Sequence, residues 1–163
     1  IPPVKSEEMP INSEIFISNT SCLIILSKID EIELLNKLCD NVFTTSVVQN
    51  EFHNRVPDWI KIKDPPDAKY QEILEMEVDK GEASVIALAL KLERSILIID
   101  DLKGRRVADN LNLKYSGTFG LLLKAKEEGI INKITPIINK ILTTNFRFSE
   151  ELIQTILREA GEL

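Results

Sequence analysis

A chain of 163 residues with 44% hydrophobic and 28% charged residues is long enough to bury a core of its own, and its mixture is neither disordered nor fibrous in type. A formal net charge of -6 counts against gripping nucleic acid through surface cations alone, and leaves open a site whose acids hold metal ions that in turn grip a phosphodiester. Apolar runs that are short and broken by Lys and Glu exclude a bilayer span. Two cysteines without CxxC spacing, Cys22 in an apolar strand-like run and Cys39 ending a helical pattern, exclude a zinc ribbon or disulfide framework and imply a reducing, cytoplasmic setting.

Ile1 to Pro10 hold three prolines and several charges but no apolar stretch, so residues 1–12 read as a loose arm, neither secretory signal nor anchor, and residues 13–163 as one domain. Ile15-Phe16-Ile17-Ser18-Asn19 predicts a first strand that ends in a polar turn, with a helical period from Ser21 to Leu26. Ile32, Leu34, Leu35 and Leu38 mark an amphipathic helix, and Val42-Phe43-Thr44-Thr45 a second strand. Ser46 is the expected cap of a short helix, with Gln49 completing a capping box and Glu51 near the helix end. Trp59 to Lys63 alternates as an extended segment, which Asp64-Pro65-Pro66 terminates.

Lys69 to Val78 predicts a charged helix. Asp79-Lys80-Gly81 then punctuates the chain before the apolar helix of Glu82 to Leu90, with Glu82 in its first turn. Ile96-Leu97-Ile98-Ile99 reads as a strand covered on both faces, and it stops abruptly at Asp100-Asp101. A helix to about Asn110, an extended Leu113 to Ser116 and a helix opened by Gly117-Thr118 follow. The stretch from Asn132 to Leu163 reads as helical, with Pro136 in a first turn and residues 145–149 as a connector. This alternation gives an α/β fold with a parallel sheet sandwiched by helices. Gly117-Thr118-Phe119-Gly120 lacks the Lys and spacing of a phosphate-binding P-loop.

Asn19, Glu51, Glu82 and Asp100/Asp101 therefore fall at one edge of the predicted sheet, the edge at which such sheets bind ligands. Oxygen donors of this kind suit Mg²⁺ or Mn²⁺, which polarise phosphodiesters. The segments Ile17 to Ile24, Gly81-Glu82-Ala83, Asp100-Asp101-Leu102-Lys103-Gly104-Arg105-Arg106 and Gly117-Thr118 resemble the PIN-domain superfamily, most closely the small prokaryotic proteins akin to the toxin halves of toxin–antitoxin pairs. The resemblance covers nearly the whole chain. It implies a three-layer α/β/α sandwich with a parallel central sheet, Mg²⁺/Mn²⁺-dependent cleavage of single-stranded or structured RNA, a homodimer and a small antitoxin partner. It places the acids on Glu51, Glu82 and Asp100 or Asp101, with Asn19 where most such nucleases carry Asp, and supporting hydroxyls on Ser21 and Thr118. An amide at position 19 brings no charge, so the alternative is a catalytically weakened module that binds RNA or protein.

Each residue also has a structural reading. Asp101 suits a helix cap, Glu82 a favourable place on a helix dipole, Glu51 a solvated face and His53, the sole histidine, a surface or capping role. Arg105 and Arg106, one turn beyond the acids, are candidates for RNA phosphate or for a solvated helix face.

Overall fold

The computed structural model describes residues 14–163, so the arm expected over residues 1–12 lies outside the described residues. Five strands form one all-parallel sheet in the order β3-β2-β1-β4-β5: β1 (Ile15–Ser18), β2 (Asn41–Thr44), β3 (Ile60–Ile62), β4 (Ser95–Ile98) and β5 (Lys114–Ser116). The register pairs Ser18 with Ile98 and Thr44 with Ile62. Helices flank this sheet: α1 (Thr20–Lys28), α2 (Glu33–Leu38), α3 (Ser46–Phe52), α4 (Ala68–Leu74), α5 (Lys80–Ala89), α6 (Leu102–Asn110), α7 (Thr118–Glu127), α8 (Thr135–Leu142) and α9 (Glu150–Glu159). The result is the α/β sandwich that the alternation of elements predicts. Among the described residues no helix is long and apolar enough to cross a membrane.

Burial explains why the central strands are continuous apolar runs. Ile17, Leu97, Ile98 and Ile99 are fully buried, as a strand covered by helices on both faces requires. Burying each such side chain stabilises the fold by roughly 1.5–3 kcal/mol. Helix α5 is buried from Gly81 to Ala89 and packs on β1, β4, α3, α4 and α6, which makes it the innermost helix.

Several boundaries differ from the sequence reading. Thr45, not Ser46, caps α3: its hydroxyl accepts the Val48 N–H at 3.2 Å, while Ser46 is bound by Asp64 at 2.8 Å and 2.9 Å. The capping box lies instead at α5, where Asp79 accepts the Glu82 N–H at 2.8 Å and Glu82 accepts the Asp79 N–H at 3.3 Å. Cys22 lies on α1 rather than on a strand, because the apolar residues Cys22, Leu23, Ile25 and Leu26 repeat with the period of a buried helix face. The charged helix stops at Leu74 and reaches Val78 through turns, whereas the expected connector over residues 145–149 does separate α8 from α9.

The chain end is tied down by one side chain. Glu162 accepts the Ile134 and Thr135 N–H groups at 2.8 Å and 3.0 Å, the Thr135 hydroxyl at 2.5 Å and the Lys126 ammonium at 2.8 Å, so it caps the start of α8 from the far end of the chain. Burial alone would raise this carboxyl. The hydrogen bonds from Lys126, Thr135 and the two backbone groups outweigh it and hold the group down at about 2. A lowered carboxyl stabilises the fold above its ordinary pKa near 4.5 and loses that contribution as pH falls towards 2. Glu162→Ala is expected to cost about 1–3 kcal/mol at pH 7. Thermal melts at pH 7 and pH 3 check it, the difference between variant and parent narrowing at the lower pH.

Candidate functional site

The sheet winds outward from β1 to β2 to β3 and then returns across β1 to β4 and β5, so its winding reverses between β1 and β4. Open parallel sheets bind ligands outside the carboxyl ends of the strands at such a reversal. Asn19 follows β1, and Asp100 and Asp101 follow the buried Ile99 beyond β4. Helix α3, carrying Glu51, follows β2, and Glu82 opens α5, which packs on both central strands and on α3. A buried hydroxyl pair, Thr45 with Ser84 at 2.6 Å, joins the starts of α3 and α5.

Each acid has its own support. Thr20 Oγ1 donates to Glu51 Oε1 at 2.6 Å. Asp100 accepts both the Thr118 N–H, at 2.8 Å, and the Thr118 hydroxyl, at 2.7 Å. Asp101 caps α6 by accepting the Gly104 N–H at 3.2 Å. Glu82 is only 5% exposed. Its carboxyl is pushed up to about 7 by burial first and then by the charges of Asp79 and Asp101, with a hydrogen bond to Asp101 adding to the rise.

A glycine stands beside three of these acids. A Cβ on Gly81 would run into Glu51 Oε1. A Cβ on Gly117 would meet the Arg105 guanidinium and lie 2.7 Å from Asp100 Oδ1, and one on Gly104 would meet Ile99 and lie 3.4 Å from Glu82 Oε2. The motif glycines are thus close-approach positions, where bare backbone lets a carboxylate lie against a helix start. Sequence reasoning missed Thr20 and Asp79. The pattern picked out Ser21, which is half-buried, yet Thr20 is the residue that holds Glu51, and Asp79 read as punctuation although it completes the box with Glu82. An Asp three residues before a Glu ahead of an apolar run was the legible signal.

The two arginines part company. Arg105 Nε donates to the Ile99 carbonyl at 2.9 Å, its guanidinium lies 5.5 Å from the Tyr115 ring centre and Nη2 stands 3.9 Å from Asp100, so it is spent inside the fold. Arg106 is exposed and lines a separate depression with Met76, Glu77, Lys103, Val107 and Asn110. His53 is exposed and caps the end of α3.

Among the described residues no three acid, imidazole or thiol groups stand together in a set that could hold a metal ion, so the expected cluster is not assembled: Glu51, Asp100 and Asp101 are each anchored on separate donors. The donor chemistry nonetheless fits a hard cation on one observation. Asn19 occupies the cap position of α1, but its side chain makes no cap bond, and Asn19 Oδ1 is the one buried side-chain oxygen or nitrogen without a partner among the described residues. Its buried neighbours are satisfied: Thr44 donates to the Ser18 carbonyl at 2.6 Å and Ser18 to the Asn19 carbonyl at 2.9 Å. An orphaned buried oxygen costs about 1–3 kcal/mol, and Mg²⁺ or Mn²⁺ takes just such oxygen donors.

Comparison with known proteins gives one family. A family model described as a PIN domain matches residues 15–162. No curated protein matches the chain.

Proposed function

The chain belongs to the PIN-domain family, and from that premise we propose that it is a metal-dependent endoribonuclease acting on single-stranded or structured RNA. The observation that carries this reading is the orphaned Asn19 Oδ1 at the reversal of the sheet; the Glu82 carboxyl, pushed up to about 7 by burial first and then by Asp79 and Asp101, opens the helix packed on the same two central strands. Glu51, Glu82, Asp100 or Asp101, and Asn19 would hold Mg²⁺ or Mn²⁺. When bound, the ion supplies Lewis-acid polarisation of the phosphodiester and neutralises its charge.

The chain's own residues then have defined tasks. Thr20 and the bare Gly81 position Glu51, Thr118 clamps both oxygens of Asp100, and Arg105, fixed on the Ile99 carbonyl, keeps a positive charge beside that carboxylate. Asp101 and Asp79 anchor helix starts and raise the negative field at Glu82, which favours a cation over a proton as pH rises. Incubation of the protein with single-stranded RNA in Mn²⁺, in Mg²⁺ and in chelator is the test. Cleavage in either metal and none in chelator is expected; intact RNA in both metals sinks the reading.

A second reading, a weakened module that binds RNA or protein, is favoured by the uncharged amide at Asn19, since a neutral donor holds a divalent cation less strongly than a carboxylate. The roles of toxin, of antitoxin partner and of homodimer rest on the motifs alone; a partner encoded beside this chain that abolishes cleavage when added would support the first two, and the mass of the protein in solution reads the third.

A further inference from the structure

We propose that the open groove bordering Glu51, lined by Val47, Asn50, His53 and Lys80, seats one unstacked nucleotide of the RNA strand next to the scissile phosphate; this deepens the ribonuclease reading and rests on it. The groove encloses about 350 Å³, at the small end of the roughly 300–1,000 Å³ of ligand sites and suited to one nucleotide. Its wall includes the Glu51 carboxylate, so a nucleotide lying in it would be joined by its own backbone to a phosphate beside Glu51.

The lining supplies the chemistry that an unstacked nucleotide needs. An imidazole offers a face for base stacking, a primary amide offers both a donor and an acceptor to a base edge, and an ammonium offers a point charge to phosphate. Lys80 is exposed, and no carboxylate among the described residues is within ion-pair distance of it. An ammonium without such a partner is available to a phosphate. His53 ends α3 with φ 63, a left-handed position that Gly or Asn holds with less strain. The ring thus sits at the cap of α3 and on the rim of the groove at once. The depression around Arg106 borders none of the residues proposed to hold the metal.

The test is fluorescence anisotropy with a short single-stranded RNA in chelator, where no cleavage is expected, applied to the wild type, His53→Asn, Lys80→Gln and Lys133→Gln. Asn suits the left-handed cap, so His53→Asn removes the ring without straining the backbone, and thermal melts confirm equal folding. His53→Asn and Lys80→Gln should each weaken binding by about tenfold, Lys80→Gln should also flatten the salt dependence, and the remote Lys133→Gln should match the wild type. Unchanged affinity in the first two, or an equal loss in Lys133→Gln, overturns the groove. Binding that behaves as expected while the RNA stays intact in Mn²⁺ upholds the groove and overturns the ribonuclease reading alone.

Discussion

Asp100→Asn with Asp101→Asn is expected to lower metal-dependent cleavage by at least about 100-fold and to abolish measurable Mn²⁺ binding, with the far-UV circular dichroism unchanged. The fold should survive because asparagine caps a helix as well as aspartate does, so the bond from the Gly104 N–H to residue 101 is kept. At position 100 an amide oxygen still accepts the Thr118 N–H, and the Thr118 hydroxyl reverses its role to accept from the new amide nitrogen. What is removed is charge. Asn19→Asp is the converse: a carboxylate replaces the orphaned Oδ1, so the protein should melt earlier in chelator, from added like-charge repulsion, and gain more from Mn²⁺ than the wild type does. Titration calorimetry and melts with and without Mn²⁺ read both. Retained cleavage in the double variant sinks the metal assignment, and an Asn19→Asp protein indifferent to Mn²⁺ removes Asn19 from it.

The strands and the sheet edge that carries Asn19, Asp100 and Asp101 were legible because the physics is local. An Ile/Leu run that ends on two aspartates has few places to go, and the parallel sheet puts Asp100 and Asn19 at the ends of adjacent strands as alternation demands. Less legible was which neighbour holds which acid. Thr20 and Ser21 are equally polar in sequence, and only the approach of α3 to the start of α1 selects Thr20 as the donor to Glu51. Ser46 and Thr45 are equally good caps. The buried bond from Thr45 to Ser84 decides between them, and it spans thirty-nine residues of chain that no local pattern registers. Arg105 and Arg106 look alike as a pair, yet helical spacing sends one onto the Ile99 carbonyl and leaves the other exposed.

Glu82→Gln is expected to stabilise the protein while ending its proposed metal chemistry, and the stabilisation should depend on pH. Folding raises the Glu82 carboxyl from about 4.5 to about 7, so between those values the folded state holds a proton that the unfolded chain has released. Stability therefore falls as pH climbs through that window, and above it the ionised group costs roughly 3 kcal/mol. Glutamine reproduces the neutral acid: its carbonyl accepts the Asp79 N–H, its amide donates to Asp101, and it carries no charge to desolvate. In chelator at pH 8 the variant should melt about 6–12 °C above the wild type, and below pH 4 the two should coincide. Equal melting at pH 8, or the same gap at both pH values, would show that burial does not strain this carboxylate. The opposite sign of the activity change is what gives the result its meaning. A buried acid whose replacement improves the fold is retained for something other than the fold, which on the proposed reading is the holding of a divalent cation.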